Sequence, residues 1–492
     1  MARGRRQSEY ATRDLTQGSV PRTIWFLGWP QMVSGAASTI DEVSDLFWAG
    51  FIGATSLASV GVGQTWISFF NTARMGLDTS ARAMISRAVG AGDLRQANHV
   101  AYQSLLINTV VTGLLLTIGF IASEFLWNLL GVAETLSEEG LAYQRVRFVA
   151  SFFFGANAVT GSLLMAGGDS MTPMRAQLVA RGVHIVLSPA IIFGFGPIPA
   201  LGIAGGGITY GIGHTIGLVM NFHALASGSS RLHLTFEGLN IDLRLALRQF
   251  RIGAPASVTS GERSFSQLIL TGIVAPFGPT GLAVFSVIQR LQGLTSFAGS
   301  GLAQAAGVIV GQSLGAQNPE RARATVWWGM ACVGGLQATA CILMFLFPEA
   351  FVHAFTRDPA VIEFAVPWLR IAVTGILLLG AANVLASSLN TAGDTRAPMF
   401  SGLGSLWLVQ QPVAVTLTGA WERWTPLGLQ IGTAEAWNIG LLGVAWAIVI
   451  ASVVRFLSMF LYFLWGPWWK TEVLLHPAPA TKPAVATSEA LR

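Results

Sequence analysis

Charge is scarce in this chain: Asp, Glu, Lys and Arg make up 11% of 492 residues. A soluble protein of that length carries about a quarter of its residues charged, so a water-soluble fold is excluded. Cysteine is scarcer still. Cys332 and Cys341 are the two present, and both fall in one apolar run, which excludes a disulfide framework and a thiolate metal cluster. No GxxxxGK[ST] run occurs, so ATP is not the evident energy source. A GxSxG elbow, zinc-ligand spacing and an acid pair suited to a soluble cleft are also missing, and no cofactor is expected. The basic residues that give a pI near 9.7 are not gathered into a patch, so no nucleic-acid partner is implied.

What is present is apolar. Hydrophobic residues make up 52% of the chain and the mean hydropathy is +0.57. They fall into runs of membrane-spanning length, which predicts an all-α polytopic membrane protein partnered by the lipid bilayer. Twelve spans are expected, over 23–50, 55–84, 99–123, 142–167, 174–196, 201–226, 245–275, 281–312, 325–347, 362–390, 397–419 and 440–465. Arg3, Arg5, Arg6, Arg13 and Arg22 precede the first span, and Arg87 and Arg95 follow the second. Arg175, Arg231, Arg321, Arg396 and Lys470 mark later even-numbered junctions, while Glu134, Glu138 and Glu139 lie in an opposite loop. This positive-inside pattern puts both termini in the cytoplasm; Arg145, Arg147 and Arg423 are local exceptions to it. The start MARGRRQ is basic but runs into a span, so no cleavable signal peptide is expected. The tail from His476 is rich in Pro, Ala and Thr and reads as disordered.

The chain repeats itself at one offset. Gly90, Ala91 and Ala97 of VGAGDLRQA match Gly315, Ala316 and Ala322 of LGAQNPERA, 225 positions on. Gly168, Asp169, Pro173 and Met174 match Gly393, Asp394, Pro398 and Met399 at the same offset, as Gly53, Thr55, Leu57 and Ala58 match Gly278, Thr280, Leu282 and Ala283. LGIAG at 201–205 matches LGVAW at 442–446 with sixteen extra residues, placing an insertion before the twelfth span. The expected organisation is therefore a short N-terminal segment (1–22), an N-lobe (23–226), a linker (227–244), a homologous C-lobe (245–466) and a tail (467–492). Parallel six-helix repeats around a central cavity are a recurring transporter design, in which one lobe rocks against the other.

The stretch from Thr23 to Gly53 carries Asp41, Glu42 and Asp45 in an otherwise apolar run. A carboxylate at the centre of a span costs about 2.5–3.5 kcal/mol even on lenient scales. Asp41 and Asp45 are one helical turn apart and share a face, so one of them should hold a proton more tightly than in water. The plainer alternative ends the span near Ile40 and leaves the acids in a wet loop. In the second span Arg74, Asp78 and Arg82 follow at i, i+4, i+8 and can neutralise one another. Trp66, Phe69, Phe70, Phe152, Phe153, Phe154, Phe285 and Trp407 are either lipid-facing, core, or lining for a cavity that attracts organic cations.

RLQGLTSFAGSGLAQAAGVIVGQSLGAQNPERAR, from Arg290 to Arg323, resembles the most recognisable segment of the multidrug and toxic compound extrusion (MATE) transporters. DLFWAGFIGATSLA, from Asp45 to Ala58, resembles that family's first-span signature, and the two GD-x3-PM junctions and LGIAG extend the likeness over nearly all of residues 23–465. The resemblance implies a monomeric inner-membrane antiporter that exports organic, cationic or amphipathic, small molecules in exchange for H⁺, or less readily Na⁺. It implies that Asp45 is the N-lobe cation-coupling carboxylate, with Asp41 as a possible partner. Leu270 stands at the repeat-equivalent position, so the role is confined to one lobe. In the fifth span, where the branch most like this chain has Asn and then Asp, VHIVLSPAIIFG has His184 and Ser188. An imidazole titrates near neutral pH and suits a proton better than Na⁺; its alternative is an interhelical hydrogen bond, which is also the simpler role for Asn157. In the seventh span Glu262 is either part of a C-lobe cation site or a structural partner of Arg263 or Arg290. Two other classes stay open: a lipid or lipid-linked oligosaccharide flippase, which needs a strongly cationic cavity, and a membrane-embedded enzyme, for which no convergent catalytic set is visible.

Overall fold

The computed structural model describes residues 14–129, 138–197, 199–234, 242–419 and 439–473, with the helical side chains at 40–43, 54, 129 and 298 outside that set. Arg3, Arg5, Arg6, Arg13, Glu134, Arg423, the inserted segment and the tail from His476 lie outside the described residues. Among the described residues twelve long helical elements follow in order: α1 (Val20–Ile52), α2 (Ala54–Gly90), α3 (Leu94–Ile121), α4 (Glu138–Gly167), α5 (Met171–Ile192), α6 (Ile203–Ala226), α7 (Leu243–Val274), α8 (Gly278–Gly315), α9 (Pro319–Leu346), α10 (Pro359–Ala392), α11 (from Arg396 to Thr418, in three pieces) and α12 (Leu442–Trp465). By length and apolarity alone, α3, α4, the α7–α8 pair, α9, α10 and α12 qualify as spans. Of the rest, α1, α2 and α5 carry internal charge. The helices overrun the expected spans at their basic ends, α2 reaching Gly90 and α9 starting at Pro319, because capped turns extend past the hydrocarbon.

Large apolar side chains stand exposed in rows on the peripheral helices, Val110, Leu114, Ile118 and Ile121 on α3 and Ile342, Phe345 and Leu346 on α9. Rows of that kind need a covering phase, and lipid supplies one. The element α11 is not one regular helix: Arg396–Leu403 and Gln411–Thr418 flank a π-helical stretch, Gly404–Gln410. Pro412 accounts for it. Proline has no N–H, and its ring would strike the carbonyl of residue 408 in a regular ladder, so the ladder widens ahead of it.

The repeat is visible in the packing. In the first half α2 packs on α4 and α4 on α6; in the second α8 packs on α10 and α10 on α12. The matched motifs are matched caps. Asp93 and Asn318, 225 apart, each accept a backbone N–H of the next helix, from Gln96 and Arg321, at 2.9 Å. Gly168 and Gly393 both sit at positive φ, 105° and 95°. Asp169 then caps α5 through the Met171 and Thr172 amides, and Asp394 caps α11 through that of Ala397. Outside the repeated motifs, Asp242 caps α7, and the N–H of Leu245 above all holds its carboxyl below the usual carboxylate range.

One departure has a cost. Gly92 (φ 76°) corresponds to Gln317 (φ 57°), the one non-glycine residue at positive φ among the described residues. A left-handed conformation costs an L-residue about 1–2 kcal/mol, partly offset by the greater freedom glycine loses on folding. Gln317→Gly should therefore raise the melting temperature of the purified protein, by the equivalent of roughly 0.5–1 kcal/mol. An unchanged or lower melting temperature would count against this account of the turn.

The two halves meet at the basic-loop end, along a seam of glycines. A Cβ on Gly76 (α2) would lie 2.8 Å from the Ser257 nitrogen (α7), and one on Gly301 (α8) 2.6 Å from the Met32 nitrogen (α1). A Cβ on Gly90 would lie 2.0 Å from the Gln312 oxygen, and one on Gly315 2.1 Å from that of Arg87. Each pair is the repeat-equivalent of the other, so the seam has pseudo-twofold symmetry. Cross-lobe hydrogen bonds gather at the same end. Arg87 reaches the Ala392 and Thr471 carbonyls, Gln312 that of Ala166, and Arg321 those of Leu15, Gln17 and Gly18.

Candidate functional site

Above the seam a cavity of 640 Å³ opens, walled mainly by α1, α2, α4, α5 and α6 with Ser300 and Gln304 of α8. That volume suits an organic molecule of drug size. Four arginines line it, Arg74, Arg82, Arg147 and Arg181, against one lining acid, Asp78.

Asp45 lies beside the cavity, behind Arg147. It is 6% exposed. One carboxylate oxygen is 3.2 Å from Nε2 of His184 on α5, the other 3.2 Å from Nη2 of Arg147 on α4. The Arg147 guanidinium lies over the Tyr210 ring, 3.4 Å from its centroid, and that ring packs edge-on against His184 and tilted against His214. Nδ1 of His214 is 3.1 Å from Nδ2 of Asn157, whose Oδ1 accepts from Asn221 at 2.8 Å. α6 lies against the carboxylate: a Cβ on Gly206 would be in ordinary contact with it, at 3.7 Å. A carboxylate thus sits between a guanidinium and an imidazole, with an aromatic ring joining that trio to a polar relay.

Ser188 does not touch Asp45. Its hydroxyl donates to the His184 carbonyl at 2.7 Å and meets Thr209 at 2.9 Å, which steadies the α5–α6 contact behind the imidazole. The side chain of Asp41 lies outside the described residues; the described groups that face Asp45 are Arg147 and His184. Arg147 departs from the charge pattern of the loops because it is not a loop residue: it lies within α4, inside the expected fourth span, and faces Asp45. Tyr210, His214 and Arg181 were not singled out at all.

The ladder on α2 is half formed. Arg74 pairs with Asp78 at 2.5 Å, but Arg82 reaches across the seam to Oε1 of Gln304 at 2.7 Å. In the C-lobe, Glu262 forms no ion pair with Arg263 or Arg290, both of which are exposed. Its carboxylate is buried against Gly402 and neither oxygen has a hydrogen-bond partner; the cation acting on it is Arg455 of α12. Nearby, Ser266 donates to Gln410 and accepts from Gln411, at the end of the π-helical stretch. Of the aromatics, Phe154 lines the cavity and packs on His214, while Phe285 is core.

The C-lobe has no copy of the Asp45 site. Leu270 and Ala372 stand where the repeat puts Asp45 and Arg147, and both belong to a large apolar cluster. At equivalent positions one half thus carries a buried ion pair and the other packed apolar side chains.

The MatE family profile matches the chain twice, over residues 30–190 and 255–416, at the repeat offset. The chain belongs to the MatE family. Over 464 residues it is 24% identical to the probable multidrug resistance protein NorM of Thermotoga maritima, covering 91% of this chain and 93% of that one. It is 23% identical over 447 residues to the probable multidrug resistance protein YoeA of Bacillus subtilis, with 89% and 95% covered. Its fold matches an outward-facing MATE family transporter of the MOP superfamily at a TM-score of 0.81 and 20% identity, covering 94% of this chain and 98% of that one. As in the rest of the MatE family, the architecture is that of a multi-pass membrane transporter.

Proposed function

We propose that the protein is a secondary antiporter that exports amphipathic organic molecules across the cell membrane in exchange for protons. Its basic end faces the cytoplasm. The observation that carries this reading is the buried Asp45 held between Arg147 and His184 at the edge of the cavity, with the lobes sealed below it. A proton arriving from outside neutralises the Asp45–His184 pair and loosens the hold on Arg147, which lines the cavity. Coupling follows because substrate and proton then favour different arrangements of the lobes. Na⁺ fits less well, because one Asp45 oxygen already faces a tethered cation and the other an imidazole.

Asp45→Asn should abolish dye efflux from proteoliposomes, by about 100-fold or more, the scale of losing an essential proton-transfer group, while the protein still inserts. A ΔpH should drive wild-type efflux with Na⁺ absent from both sides. Full activity of Asp45→Asn, or efflux that needs a Na⁺ gradient at clamped pH, would overturn the reading.

A second reading rests on the cavity walls. Four lining arginines outweigh Asp78 and the adjacent Asp45, and a flippase for an anionic lipid headgroup needs such a surplus. Protection of a cysteine at Ser300 from labelling by an anionic lipid, and not by an organic cation, would favour it.

A further inference from the structure

A second cavity, of 730 Å³, lies at the basic end, outside the transport pathway. It is formed where the first turns of α7 meet the α10–α11 junction and the strap after α12. Four arginines line it: Arg244, Arg248 and Arg251, all on α7, and Arg396 at the start of α11. Two acids answer them, Asp394 and Glu472, and Asp394 is already engaged, accepting the Tyr462 hydroxyl and the Ala397 N–H. The wall is therefore cationic in balance. Its frame is fixed by bonds between elements: Thr395 donates to the Ile252 carbonyl at 2.6 Å and Arg248 to that of Glu472 at 2.9 Å.

The flanks are apolar and exposed: Leu243, Leu247 and Phe250 on α7, and Phe400 on α11. A charged cup rimmed by exposed hydrocarbon suits a ligand with both characters. Guanidinium forks match phosphate oxygens two at a time, and basic pockets between helices at the cytoplasmic boundary attract anionic headgroups. We propose that this pocket binds the phosphate of an anionic phospholipid, with the acyl chains against Leu247, Phe250 and Phe400. The bound lipid also acts on the seam. Thr471, in the pocket wall, accepts from Arg87 of α2, as does Ala392 two residues before the junction Asp. A headgroup that ties α7, α11 and the strap together holds in place the surface on which the N-lobe closes.

The test uses the full chain in a neutral detergent, with thermal unfolding as the readout. Phosphatidylglycerol, phosphatidylcholine and inorganic phosphate are titrated separately. Phosphatidylglycerol should stabilise the protein saturably, and phosphatidylcholine should not. The R244Q/R251Q/R396Q variant, which leaves the Arg248 strap bond intact, should need at least about tenfold more phosphatidylglycerol for the same effect. The matching lysine variant keeps the charge without the forks, so its response should fall between those of the wild type and the glutamine variant, and it reports on charge if the glutamine variant unfolds. Equal responses to the two lipids, or an unchanged response in both triple variants, would overturn the site. An equal saturable response to inorganic phosphate alone would reassign it to a soluble phosphate compound and overturn the lipid.

Discussion

Arg147→Gln should destabilise the protein more than Arg147→Gln and Asp45→Asn combined. Both side chains are buried, 7% and 4% exposed, and they face each other at 3.2 Å. Removing one member of such a pair strands a charge in a low-dielectric site, at a cost of about 3–5 kcal/mol; removing both leaves two neutral groups and a far smaller penalty. The cycle of thermal melts should therefore show strong coupling, well above the roughly 0.3–0.5 kcal/mol scatter expected of independent sites. Transport should behave differently. Each single variant and the double variant should all lose proton-driven efflux, because the double variant regains its fold without regaining a group that changes charge. Additive losses of stability would mean that Arg147 and Asp45 are neighbours without being partners. Restored efflux in the double variant would mean that the pair is structural only.

Gly76→Val should hold the lobes apart at the basic end. A Cβ there meets the Gly253 oxygen at 2.1 Å and the Ser257 nitrogen at 2.8 Å, and neither backbone atom can yield as a flexible side chain would. Overpacking of this kind costs about 1–3 kcal/mol or more, which corresponds to roughly a 5–150-fold change in the balance between two states. Spin labels at Arg95 and Glu320, exposed and repeat-equivalent, should report a longer mean separation in the variant than in the wild type, and efflux should fall with it. Gly61→Val, where a Cβ meets nothing, should leave both unchanged. An unaltered separation in Gly76→Val would show that the seam does not set the closed state.

The repeat was legible because its markers are backbone requirements. A residue that must turn at positive φ, as at Gly168 and Gly393, or cap a helix, as at Asp93 and Asn318, leaves a trace that drift in apolar side chains does not erase. Asp45 was legible for a related reason: a carboxylate inside hydrocarbon needs an explanation wherever its partner lies. The partner itself was not. Arg147 is over a hundred residues away, and what joins it to Asp45 is the contact of α4 with α6 and of α1 with α5, set by tertiary packing. Local spacing pairs Asp78 with Arg74, and the two do meet, but it also offers Arg82, which bonds Gln304 across the seam instead. For Glu262 the sequence offers Arg263 or Arg290, whereas the cation acting on it is Arg455 of α12. Tyr210 and His214 escaped notice because an aromatic or histidine in a glycine-rich helix carries no periodic signal.

The pseudo-symmetric arrangement of Gly76 with Ser257 and Gly301 with Met32 bears on how opening proceeds. Both contacts join the same two lobes, one on α2 and α7, the other on α8 and α1. Neither can let go while the other stays engaged without bending a helix. Separation at this end should then behave as a single cooperative event, like two snaps on one clasp, with few half-open molecules at equilibrium.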